Sequence, residues 1–123
     1  MTKKVKVAWF GKPEKQNFLA AMSYLSLLYT EKTAAKYVND LRRARISEFK
    51  AKDIFRASGL SLLGVSNSHL EKDRKRIRSK EKISPLLLVR DKKNRKVIIA
   101  DGYHRMCAVY SCDEDAVIPC KIV

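Results

Sequence analysis

Five consecutive residues, Asp101-Gly102-Tyr103-His104-Arg105, form the chain's densest set of groups able to do chemistry. They follow the apolar stretch Val97-Ile98-Ile99-Ala100, which reads as a buried strand. They precede Met106, Val109 and Tyr110, which are available to pack one side of a helix running from Tyr103 to Ser111. Gly102 permits a tight turn between strand and helix. The first amides of a helix lack partners within it, and its dipole places partial positive charge there. A strand–turn–helix of this kind therefore suits a phosphate or another anion. Tyr103, His104 and Arg105 add side-chain donors, and His104 can also carry a proton. Asp101 sits oddly beside an anion, because a carboxylate repels phosphate. It has three uses there: capping the helix, holding Mg²⁺ against a nucleotide phosphate, or accepting a proton. The plainer reading of the same residues is an N-cap at Asp101, a turn at Gly102 and surface donors at His104 and Arg105.

The surroundings of this segment are strongly basic. The 123 residues carry a formal net charge of +14, an excess that favours polyanionic partners. It is unevenly spread: residues 72–96 hold twelve Lys or Arg against three acids, while residues 97–123 hold two against four. The basic stretch includes Lys72, Arg74, Lys75, Arg76, Arg78, Lys80 and Lys82 on one helix and just beyond it. A stripe like this can track DNA phosphates without reading sequence, with Arg74, Lys75 and Arg78 as contact residues. Few aromatics interleave it, so base stacking along this helix has little support. The plainer reading is a solvated face.

Several classes are disfavoured. Cys107, Cys112 and Cys120 are odd in number and make no CxxC, which argues against a disulfide framework. With two histidines in the chain, a zinc site has little to build on. No apolar run approaches the roughly 18 residues of a membrane span, and no apolar segment follows Met1-Thr-Lys-Lys4. The expectation is a cytoplasmic protein that does not enter membranes.

The elements that must position the turn can be read in order. Val5, Val7 and Trp9 alternate as in a short strand, which Gly11 and Pro13 end; Pro13 suits a helix's first turn. Phe18, Met22, Leu25 and Tyr29 recur at helical spacing. Thr30 or Thr33 then caps a second helix carrying Ala34, Tyr37, Val38 and Leu41, so residues 1–45 read as a strand and helical hairpin packed on the rest. Residues 45–49 suit a brief strand and 52–58 a short helix closed by Gly59. Leu60 to Val65 suits a turn and packing segment. Ser68 and Glu71 fit a capping box opening a helix to about Lys80. Leu86-Leu-Leu-Val89 reads as a strand covered on both faces, followed by a polar turn at 91–96. Residues 116–123 form a last strand, where Pro119 argues for an edge or a strand start. The fold class expected is α+β, a small mixed sheet flanked by helices.

Taken together, Ser84-Pro-Leu-Leu-Leu-Val89, Val97-Ile-Ile-Ala-Asp-Gly-Tyr-His-Arg-Met-Cys-Ala108 and Ile118-Pro-Cys-Lys-Ile122 resemble the ParB/sulfiredoxin-like superfamily over residues 46–123. The resemblance implies that fold and a phosphate-binding turn at residues 101–105. Phe49 to Arg56 falls where the family places its first strand and an active-site segment. The departures narrow the activity. Sulfiredoxins carry a catalytic cysteine directly before the His-Arg pair, where this chain has Tyr103, and Cys107 lies one helical turn too far on to replace it. ParB partition proteins carry Gly-Glu-Arg-Arg at the turn, where this chain has Gly102-Tyr-His-Arg105, and a DNA-binding domain after it, which is not expected here. The turn is most similar to the Asp-Gly-His-His-Arg pattern of ParB-like free-serine kinases, with one change. In those kinases an upstream acid is the general base, a place near Asp53, with Glu48 as a rival.

The resemblance thus implies a domain that binds a nucleotide (ATP, ADP or CTP), with Mg²⁺ as a companion, and hydrolyses it or transfers its phosphoryl group. Asp101, Gly102, Tyr103, His104 and Arg105 would hold phosphate, and Asp53 and His104 would be catalytic. Lys52 and Arg56 could reach a phosphate, and His69 reads as a local cap or packing residue. The alternative is a DNA-binding or nuclease-like protein that uses the basic surface.

Overall fold

The computed structural model describes residues 6–61 and 68–123. Within them the chain runs as helix α1 (Lys15–Leu28), helix α2 (Glu31–Arg43), strand β1 (Ile46–Lys50) and helix α3 (Ala51–Ser58). Helix α4 (Ser68–Arg78), strand β2 (Leu86–Asp91), strand β3 (Lys96–Asp101), helix α5 (Tyr103–Cys112) and strand β4 (Val117–Ile122) follow. The architecture is mixed α+β, and the sheet has the order β1-β4-β2-β3. β4 is antiparallel to β1 and parallel to β2, and β2 and β3 form an antiparallel hairpin.

Both faces of the sheet centre are covered, and this explains the unbroken apolar runs of β2 and β3. Alternate side chains point to opposite faces. Leu86, Leu88 and Ile99 join a core with Ile54, Leu70, Ile77, Met106 and Val109, contributed by α3, α4 and α5. Leu87, Val89, Ile98 and Ala100 join the other, with Phe18, Ala21 and Leu25 of α1 and Ala34, Val38 and Leu41 of α2. The hairpin of α1 and α2 is therefore one outer layer, and α3, α4 and α5 form the other.

The ends of the helices follow their residues. Glu14 caps α1 through a reciprocal box with Asn17, whose Oδ1 accepts from the Glu14 amide at 2.7 Å. Pro13 therefore precedes the cap instead of lying in the first turn. Thr30 caps α2 by accepting from the Thr33 amide at 3.2 Å. α3 ends on Gly59 in the left-handed conformation, φ 67°. α4 stops at Arg78, short of Lys80. Lys80 takes φ 59°, and the amides of Lys80 and Glu81 turn back to the carbonyls of Ile77 and Arg76 at 3.1 and 2.9 Å. These paired bonds form a Schellman ending, here without glycine.

Three expectations meet differences. The strand read at Val5 to Trp9 is, among the described residues, a single parallel bridge between Trp9 and Ile83. β4 is an interior strand, not an edge: Pro119 lies opposite Glu48 of β1, one residue before pairing with β2 begins at Leu86 and Cys120. The missing amide is thus placed near the strand's start, where only β1 flanks it. α4 begins at Ser68 itself, so the cap position before it lies outside the described residues, as does most of the Leu60 to Val65 segment. No helix among the described residues is long and apolar enough to cross a membrane.

The three thiols are unpaired and differently placed. Cys107 and Cys120 are buried, and burial pushes the Cys120 thiol up to about 12, while Cys112 is half-buried. A thiolate is the reactive form. Thiol titration of the native protein at pH 8 is therefore expected to modify Cys112 alone, and denaturation to release the other two. Rapid native labelling of Cys120 would contradict this packing.

Candidate functional site

β3 ends at Asp101 and α5 begins at Tyr103, so a single residue makes the turn. That residue is Gly102, at φ 109° and ψ 17°. A Cβ there would lie 2.8 Å from Leu86 Cγ and 2.9 Å from Arg105 Nη2. Both the conformation and the close approach of β2 thus require glycine.

Gly102 is also the helix cap, and it has no side chain to offer the first amides of α5. Met106 N–H is bonded within the helix, to the Gly102 carbonyl at 2.9 Å. The amides of Tyr103, His104 and Arg105 come before the internal ladder begins. Reading Asp101 as the cap is therefore not what the geometry gives. Its carboxylate instead accepts from Arg105 Nη2 at 3.0 Å, one turn along the helix, with both side chains mostly buried (15% and 16% exposed).

Arg105 does more than balance Asp101. Its Nε donates to the Ser84 carbonyl at 2.9 Å and its Nη2 to the Pro85 carbonyl at 3.3 Å. Ser84 Oγ in turn donates to Glu14 Oε1 at 2.6 Å. One guanidinium thus fastens the start of α5 to the entry of β2, and Ser84 carries the connection to the cap of α1. Only a planar fork with several fixed donors reaches these acceptors together. Arg105 positions the turn, and its charge is already engaged by Asp101.

Tyr103 is the first residue of α5. Its hydroxyl donates to the Ser61 carbonyl. Desolvation, and then the neighbouring Cys107, push its ionisation upward. Its ring lies 5.8 Å from that of His104, tilted by 55°. Tyr103 thereby ties the chain after α3 to the start of α5.

The turn opens on a cavity of about 230 Å³ lined by Asp101 to Arg105 and, from α4, by Lys72, Asp73 and Arg76. Lys72 and Arg76 are four residues apart and share one face of the helix. Both are exposed, whereas Asp73 is buried, with its Oδ1 3.7 Å from Arg76 Nη1. This volume lies below the roughly 300–1,000 Å³ of clefts that enclose drug-sized ligands. It suits a phosphate group more than a whole nucleotide. Both carboxylates face a guanidinium, and among the described residues no three His, Cys, Asp or Glu side chains converge as a metal site. This donor set does not fit a divalent cation held by the protein.

Asp53 is not brought to this cavity. It lies in the first turn of α3, beyond the Lys50 cap, is exposed, and has Arg56 Nη1 3.8 Å from its carboxylate. Glu48 lies exposed on β1 and lines a different hollow with Trp9 and Pro119. Lys52 is paired with Asp115 at 2.7 Å, which raises its ionisation. Of the proposed DNA contacts, Lys75 and Arg78 are exposed. Arg74 lies back against Glu71 at 3.3 Å, with its Nε buried. The side chain of His69 lies outside the described residues. Sequence reading placed Lys72 and Arg76 in the basic stripe without joining them to the turn, and missed Asp73. The four-residue spacing of the two cations was the available signal.

Comparison with protein-family models, curated proteins and solved structures finds no match to this chain.

Two substitutions test the geometry. Gly102→Ala is expected to destabilise the protein by about 2–4 kcal/mol in urea unfolding, from the left-handed backbone and the collision with Leu86. Arg105→Lys is expected to cost about 1–3 kcal/mol, because it leaves carbonyls at the β2 entry without their donors. A change below about 0.5 kcal/mol in either variant, no more than an ordinary surface substitution gives, would contradict the packing described.

Proposed function

We propose that this chain is a ParB/sulfiredoxin-like domain that binds the phosphate group of a nucleotide at the N-terminus of α5. The observation that carries the reading is the turn itself. Gly102 puts no side chain over the first turn of α5, and the cavity there is lined also by Lys72 and Arg76 of α4. Backbone donors, the helix dipole and two cations converge on one small volume. The strand–turn–helix formed by β3, Gly102 and α5 lies where the resemblance implies a phosphate-binding turn, which supports the reading. The unpaired cysteines agree with a cytoplasmic location, where thiols stay reduced.

In this reading the amides of Tyr103 and His104 and the side chains of Lys72 and Arg76 bind the phosphate. Asp101 holds Arg105, so its charge does not oppose the anion. Nucleotide hydrolysis or phosphoryl transfer at this place needs a group to move a proton. His104 and Asp73 line the cavity and can serve; Asp53 does not line it. A second reading, contact with a DNA backbone, is favoured by the outward cations Lys72, Lys75, Arg76 and Arg78 along α4. It would use the same cavity for one backbone phosphate.

Calorimetric titration with inorganic phosphate, ATP, ADP and CTP, with and without Mg²⁺, tests the first reading. Lys72→Ala, Arg76→Ala and His104→Ala are each expected to weaken the phosphate-bearing ligand by about tenfold, as loss of a charge-assisted hydrogen bond does. Asp53→Ala is expected to bind as the parent does. Unchanged affinity in the three cavity variants would overturn the site. For the second reading, duplex affinity is expected to fall steeply with salt, less so in Lys75→Ala and Arg78→Ala.

A further inference from the structure

At the end of β3 away from Asp101, a second and larger hollow of about 680 Å³ runs between the helical hairpin and the β2–β3 turn. Three tyrosines line it: Tyr24 of α1 is 42% exposed, and Tyr29 and Tyr37 are half-buried against the hairpin core with ring centroids 5.2 Å apart at 60°. Four exposed cations line it too: Lys92 and Lys93 in the β2–β3 turn, and Arg90 and Lys96 on the strands that flank the turn. Apolar side chains also line it, Leu28 and Ile98 on the hairpin side of the sheet and Val97 on the other.

Two acids also line it. Asp91 accepts from the amide and the side-chain nitrogen of Asn94, at 3.2 and 2.8 Å, which holds its ionisation down and commits it to shaping the turn. Asp40 belongs to α2. The cations still outnumber the acids by four to two in a chain whose net charge is +14.

We infer that this groove binds single-stranded nucleic acid, with bases against the tyrosines and backbone phosphates against the turn. Aromatic faces together with a cationic track are what unpaired bases and their phosphates require. The volume has room for a base and its sugar, which the cavity at α5 lacks. A duplex keeps its bases stacked on one another, so it cannot use the tyrosine faces. The inference stands apart from the α5 site, which lies at the far end of β3, and neither depends on the other. The sequence alone hid this groove because its aromatic and basic residues come from segments about fifty residues or more apart.

Fluorescence anisotropy with a labelled oligonucleotide of about 12 nucleotides tests it, a length within the span such grooves engage. The full chain is expected to bind the single strand more tightly than the duplex of the same sequence. Tyr24→Ala is expected to weaken the single strand about tenfold with the salt dependence unchanged, and Tyr24→Phe to retain binding. Because Tyr24 is exposed, both variants should fold, as a thermal melt would verify. Lys92→Ala with Lys93→Ala is expected to lower the slope of log affinity against log salt by about 1.4, at about 0.7 per phosphate contact. Equal affinity for duplex, no effect of Tyr24→Ala, or displacement of the oligonucleotide by poly-glutamate or by a mononucleotide at equal concentration would each overturn the inference.

Discussion

The guanidinium of Arg105 is the constraint on which the turn depends. It reaches the carbonyls of Ser84 and Pro85 and the carboxylate of Asp101, and so joins the entry of β2, the end of β3 and the first turn of α5. These three pieces come together only because Gly102 has no Cβ, since Leu86 fills the space where one would stand. Glycine and arginine thus act as one device: the first allows the close approach and the second locks it. The charges settle accordingly, with Asp101 and Arg105 neutralising each other.

The sheet gives this device a rigid seat. β2 and β3 are buried on both faces, by the α1–α2 hairpin on one side and α3, α4 and α5 on the other. Strands held this way move little, so the amides of α5 point in a fixed direction. α4 packs its Leu70 and Ile77 inward and thereby turns Lys72 and Arg76 towards the same opening. Packing and charge are set by one helix, with the apolar residues fixing where the basic ones stand.

Much of this was legible in the sequence. The apolar runs at Leu86 and Val97, the helix after Gly102 and the left-handed end at Gly59 follow from local periodicity and from glycine's freedom, and these elements formed within a residue or two of their expected limits. Long-range relations were not legible. Pro119 reads as an edge or a strand start by local rules; the fold takes the second, since β4 is interior and β2 joins it only past the proline. Asp53 lies at a suitable distance along the chain, but α3 turns it to solvent beside Arg56. Arg105 reads as a phosphate ligand from its type. Only the fold shows that two carbonyls and a carboxylate already occupy it. The four-residue spacing of Lys72 and Arg76 shows that they share a helix face, but only the packing of α4 on α5 brings that face, with Asp73, to the turn.

The most direct measurement is an inorganic phosphate titration followed by the backbone amide resonances of the isotope-labelled protein. The largest saturable shifts are expected at the amides of Gly102, Tyr103 and His104, with smaller shifts near Lys72 and Arg76. Shifts scattered over exposed lysines, with those three amides unmoved at saturating phosphate, would contradict an anion site at the start of α5.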